Sequence, residues 1–167
     1  MIPLRDNIPT ERAPLVTVVL VLAAVVAWVL GGDGGPVLLV ANAVVLWIFG
    51  ITLEDSMGRA RYLVFALIGA AVGLVYVPAS GAAAAVIAGH LFLYPRARVV
   101  WWCLIPPFVG LLEWPPAVLV VLWIVVQIAV GGAVALAGLA AAGAVGLALV
   151  KVFVREVKET PPRLPAY

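Results

Sequence analysis

Charge is what this chain most lacks. Of its 167 residues only 11% are Asp, Glu, Lys or Arg, against about a quarter in an ordinary soluble domain. Hydrophobic residues make up 66%, and the mean hydropathy is +1.23. This balance excludes a water-soluble globular protein and points to an integral membrane protein with one domain. A single cysteine, Cys103, excludes an internal disulfide. The net charge is +2 and the basic residues are dispersed, which argues against a nucleic-acid partner. The only histidine, His90, has no second candidate ligand nearby in sequence, so no metal or cofactor is expected. Asn, Gln, Cys and Met are scarce beside Ala and Val, a composition that fits a thermophilic source.

What is present is a set of long apolar runs. Five interruptions, at 31–36, 54–61, 78–81, 95–98 and 131–132, divide the chain into apolar segments near 14–30, 37–53, 62–77, 82–94, 115–130 and 133–154. A membrane helix needs about 20 apolar residues, fewer where it enters from a re-entrant turn. The stretch "VVWWCLIPPFVGLLEW", 99–114, is too broken by Pro106 and Pro107 to span. Its Trp101, Trp102 and Trp114 place it at the membrane interface. The expected fold is an all-α bundle of six transmembrane helices over 14–154, flanked by segments 1–13 and 155–167.

Charge placement tests that layout independently. With six spans, all ten basic residues, from Arg5 and Arg12 to Lys158 and Arg163, fall on one side. The positive-inside rule makes that side cytoplasmic, with both termini there, as in a prokaryotic plasma membrane. The opposite face carries Asp33 as its only charge. The first apolar run is read as a permanent helix, because no small-x-small cleavage site follows it. The fourth segment reaches only about 20 Å against a hydrocarbon core of about 30 Å. The turn Pro78–Gly81 is therefore expected to dip into the membrane, setting Ser80 at a helix N-terminus in a protein-lined recess.

Three stretches resemble the rhomboid intramembrane serine proteases. "NAVVLWIFGITLEDSMGRARYLVF", 42–65, is similar to the family's second helix and following loop, with Gly50, Glu54 and Gly58 in a Gly-xxx-Glu-xxx-Gly pattern. "ASGAAAAVIAGHLFLYPRARV", 79–99, resembles the nucleophile turn and the Pro-Arg-Ala-Arg, with Pro95 and Arg96, that closes the fourth helix. "MIPLRDNIPTERAPLVT" is similar to the opening of many members. The resemblance implies that Ser80 holds the catalytic serine's position and Asn42 that of an oxyanion-side asparagine.

The chain departs from the family in four places. Leu38 stands where the family has a histidine, Pro78 replaces a glycine, and the long first loop has shrunk to "GGDGGP". The fourth departure concerns the base: Gly138 aligns with the family's catalytic histidine, and shifting the register to Leu139 or Ala140 supplies none either.

A serine hydroxyl needs a base within hydrogen-bond reach. His90 lies ten residues along the same helix, about 15 Å away. Every lysine follows residue 150, and Glu54, Asp55 and Glu113 lie on the cytoplasmic side, which leaves Asp33 or water. Ser80 thus reads as an N-cap or as a surviving reactive hydroxyl. Asn42 is interhelical polar glue or an oxyanion donor, and Gln127 another interhelical hydrogen bond. His90 is a packed residue or a proton relay, and Glu54 a cap that fixes the turn between the second and third helices. Gly81, Ala85 and Gly89 form a small-residue stripe, with Gly143 and Gly146 on the sixth helix's own small face. The expected function is an inactive rhomboid-like protein that binds transmembrane helices or serves in a membrane complex. The alternative is an active protease with an unorthodox base.

Overall fold

In a computed structural model the described residues are 2–11, 13–30, 35–75, 77–105 and 108–158. Five α-helices and a three-stranded sheet follow in the order β1 (Ile2–Asp6), α1 (Leu15–Val29), α2 (Gly35–Met57), α3 (Arg59–Val72), α4 (Pro78–Leu93), β2 (Val99–Ile105), β3 (Phe108–Trp114) and α5 (Pro116–Phe153). A 3-10 turn, Gly73–Val75, extends α3.

Two glycines shape the helix ends through backbone conformation. Gly58 alone separates α2 from α3, with φ 80 and ψ 154, a region open to glycine and costly for any residue with a Cβ. The interruption expected over 54–61 is thus one residue long. Gly132, at φ 59 and ψ −144, breaks α5 into arms of roughly 24 and 32 Å. A Cβ there would meet nothing within 4 Å, so backbone conformation, not space, demands glycine.

The helices α2 and α5 are long and apolar enough to cross a membrane, and α1 and residues 79–93 of α4 form shorter apolar helices. Many large apolar side chains face outward, while several polar ones are buried. Leu22, Val26, Val121, Leu122 and Val134 are more than half exposed, while Thr17, Asn42, Ser80, His90 and Gln127 are at most 1% exposed. The helix α4 lies at the centre, packed by α2, α3 and α5, with Ala82–Ile87 buried throughout. Small side chains make that possible. A Cβ on Gly81 would fall 2.5 Å from Gly69 and Gly73 on the α3 side, and one on Gly146 2.7 Å from Ala85 on α4. The stripe is therefore shared: Gly81 faces α3, Ala85 touches both Gly69 and Gly146, and Gly89 lies near Phe65 and Val150. Gly143 sits more loosely, with Ala88 and Ala84 about 4 Å from its Cβ position.

Two expectations are corrected. Residues 78–81 are the first turn of α4, not a non-helical dip, because proline suits the first helical position, where its missing N–H costs nothing. Residues 99–105 and 108–114 form an antiparallel hairpin, which adds a small sheet to the expected all-α bundle. It joins β1 in the order β1-β2-β3. Pro106 and Pro107 forbid a helix through this stretch, and the Val, Trp and Ile on either side favour strands.

The sheet, the α2–α3 turn and the ends of α4 and α5 gather at one end of the bundle. Asn7 N–H donates to the Arg98 carbonyl at 2.8 Å, and Arg98 N–H returns a bond to Asn7 Oδ1 at 2.8 Å. Past α5, Arg155 and Glu156 amides both donate to the Ser56 carbonyl.

Candidate functional site

Ser80 sits in the first turn of α4, Asn42 in the second turn of α2, and Gln127 and Trp123 in the first arm of α5. All four are buried. Asn42 Nδ2 donates to Ser80 Oγ at 2.9 Å, Ser80 Oγ donates to Gln127 Oε1 at 3.1 Å, and Gln127 Nε2 donates to Asn42 Oδ1 at 2.8 Å. Trp123 Nε1 also donates to Asn42 Oδ1, at 3.0 Å.

One donor fixes the direction of this ring. An indole N–H can only donate, so the Asn42 atom facing Trp123 is its oxygen. The Asn42 NH2 must then face Ser80, whose Oγ accepts and turns its own proton toward Gln127. The Gln127 atom receiving it is the carbonyl oxygen, which leaves its NH2 for Asn42. The serine proton therefore rests on a neutral amide oxygen. An amide accepts a hydrogen bond but is not a base at physiological pH, so this contact cannot generate an alkoxide.

The described sequence-derived candidates have definite places. Ser80 is not an N-cap: Val77 holds that position, without a side-chain cap, and accepts the amides of Ser80 and Gly81. Gly138 and Leu139 are buried on α5 and carry no polar group, while Ala140 is exposed. A cavity of about 270 Å³ between α4 and the two arms of α5 is lined by apolar side chains such as Ala84, Ile87, Leu139 and Ala140, with Trp123 at its wall. Asp33 lies outside the described residues. Leu38 and Asn42 line a second space, a groove of about 550 Å³ bounded by α1, α2, α3 and Ala79 at the start of α4. Among the described residues no cluster of His, Cys, Asp or Glu could hold a metal ion.

The described charged residues collect at the opposite end of the bundle. Pro14 precedes α1 and offers no capping oxygen, so Glu54 reaches across from α2. Its carboxylate accepts Val16 N–H at 3.0 Å, Thr17 N–H at 2.8 Å and the Thr17 hydroxyl at 2.9 Å. A carboxylate at a helix N-terminus also meets the positive end of the helix dipole. Gly50, one turn earlier, has no side chain, and the Tyr62 hydroxyl packs directly on it. The Gly50, Glu54, Gly58 pattern thus reads as clearance, cap and reversal. The sequence led to the α2–α3 turn as the target of Glu54, but the helix it caps is α1.

His90 is fully buried, with ring centroids 4.7 Å from Phe49 and 5.4 Å from Tyr94. Its Nε2 lies 3.6 Å from Asp6 Oδ2, the same oxygen that accepts the Thr52 hydroxyl at 2.5 Å. Sequence reasoning missed Asp6, which reaches His90 from a strand 84 positions away; no local spacing announces that contact. Nearby, Ser56 Oγ donates to the Thr52 carbonyl at 2.7 Å, so at the 2.6 Å contact between Ser56 and Tyr94 it is Tyr94 that donates. The Tyr94 oxygen in turn accepts Lys158 N–H at 3.0 Å. Lys158 Nζ lies 3.1 Å from Glu11 and 3.5 Å from Asp55, and its pKa is raised chiefly by the hydrogen bond to Glu11. Pro95 and Arg96, just beyond α4, are exposed and lead to the sheet.

No curated protein and no solved structure matches the chain. In a comparison with protein families, however, residues 32–156, three quarters of the chain, match the rhomboid domain. The match takes in Asn42, the Gly50–Gly58 pattern, Ser80 and both arms of α5. This chain is a member of the rhomboid family.

Proposed function

We propose that this protein is a proteolytically inactive rhomboid relative, whose bundle binds transmembrane helices of other membrane proteins or serves as a subunit of a membrane complex. The observation that carries the reading is the Ser80 ring, in which the serine proton goes to the Gln127 amide oxygen. The apolar residues at Gly138 and Leu38, where the family has histidines, support it. The 550 Å³ groove beside α1 is the natural seat for part of a client helix. In this reading the chain crosses a prokaryotic plasma membrane six times, α5 supplying two crossings through its break at Gly132. Both termini are cytoplasmic, in keeping with the basic residues at the end of the bundle that holds the sheet.

A second reading, an active protease using Ser80, draws support from one feature. Asn42 lines the groove and points its amide at Ser80, a geometry that also suits donation to an oxyanion. Asp33 or water would then be the base. The two readings separate in proteoliposomes containing purified protein and fluorophore-labelled transmembrane helices. The first expects saturable energy transfer with the helices intact. Cleavage fragments that vanish in Ser80→Ala would overturn it in favour of the second.

A further inference from the structure

The β2–β3 hairpin extends past its support. The strand β1 pairs with β2 only over Val99–Trp102, whereas β3 pairs with β2 from Val99 to Ile105. Among the described residues the distal part, Cys103–Ile105 against Phe108–Gly110, is a two-stranded ribbon without a third strand. Such a ribbon is marginal in water on its own. Its six residues, Cys, Leu, Ile, Phe, Val and Gly, include none with a charged or strongly polar side chain. Successive strand positions belong to opposite faces, so both faces are apolar. A ribbon at home in water would alternate.

Two further observations identify what covers it. The first is charge: Arg96 is exposed and Arg98 half-buried immediately before β2, and Arg59, Arg61, Lys151 and Arg155 are exposed on the helix ends nearby. These form a basic rim suited to anionic headgroups. The second is aromatic placement: Trp101, Trp102 and Trp114 all fall in the proximal half of the hairpin, the residue type that settles at a membrane–water boundary.

We propose that the distal β2–β3 ribbon is a membrane-interface anchor, inserted into the headgroup–acyl boundary of an anionic bilayer on the side of the basic rim. Three residues per strand reach about 10 Å, which matches the depth of other interfacial elements. Deeper insertion is excluded, because the outer edge of β3 would leave N–H and C=O groups unpaired in hydrocarbon. The anchor steadies the end of α4 opposite Ser80, and it does not depend on whether Ser80 reacts.

Cys103 is the chain's only cysteine and supplies a native labelling position. A nitroxide on Cys103 is read in vesicles of phosphatidylcholine and phosphatidylglycerol by its collisions with oxygen and with a water-soluble nickel chelate. A second label, Leu104→Cys in Cys103→Ser, reads the opposite face. Oxygen should dominate several-fold at both positions. Nickel collisions equal to or above those of oxygen at either position would overturn the anchor. Low collision with both reagents would overturn it too, showing protein cover, as would dipolar broadening between two copies, showing edge-to-edge pairing along β3. Unlabelled protein gives an independent reading by hydrogen exchange. Amides of 103–105 and 108–110 should exchange more slowly in anionic than in neutral vesicles, and equal exchange in both would contradict the proposal.

Discussion

The two polar clusters of this bundle differ in kind. At the Ser80 end, Asn42, Ser80, Gln127 and Trp123 form a closed ring of neutral donors and acceptors. At the sheet end, Glu54, Asp55, Asp6 and Lys158 form a set of ionisable groups that ties helices, strand and tail together. The family's chemistry needs ionisable groups at the first end, yet among the described residues they gather at the second. A buried neutral ring holds helices in register without the cost of burying a charge. The charged end binds backbone amides that would otherwise be orphaned where the chain turns.

Breaking the charged end should cost most. Glu54→Ala removes the acceptor of three donors, two of them buried, and should destabilise the bundle by about 3 kcal/mol, read as thermal unfolding in detergent. Glu54→Gln, which keeps an oxygen, should lose less. If both variants unfold like wild type, the cap on α1 is irrelevant. Next comes the close contact of α4 with α5. Gly146→Val forces a side chain against the Ala85 backbone and should cost about 1–3 kcal/mol in the same measurement.

The neutral ring is worth less. Gln127→Leu should cost about 1–2 kcal/mol, because it strands the Ser80 proton and one Asn42 acceptor contact inside the bundle. Combined with Ser80→Ala it should cost less than the sum of the two single changes, since they share one hydrogen bond. Strict additivity would deny the ring. The smallest effect belongs to the tail. The raised pKa of Lys158 means its latch is at full strength below the unfolded value of 10.5 and fades as pH rises past the folded value. Lys158→Met should therefore speed proteolysis of the tail at neutral pH while leaving the unfolding temperature nearly unchanged.

The sequence made the helices legible because glycine and proline punctuate the apolar runs. The boundaries expected near 14–30 lie close to those of α1, and the end expected near 94 close to that of α4, which starts one turn earlier than expected. The sheet was not legible. Residues 99–114 are apolar at nearly every position and give no period-two signal, and their third strand lies some 95 positions earlier. Gln127 could be read as an interhelical bond, but nothing local named Ser80 as its partner. Ser80 itself looked like a cap because proline at 78 suggests a turn as readily as a first helical residue.

The central claim is that the Ser80 proton is held by an amide and not taken by a base. The rate of fluorophosphonate labelling in proteoliposomes tests it most directly, followed from pH 5 to pH 9 against Ser80→Ala. The account predicts no Ser80-dependent adduct at any pH in that range. An adduct that Ser80→Ala abolishes, forming faster as pH rises through an apparent pKa, would contradict it.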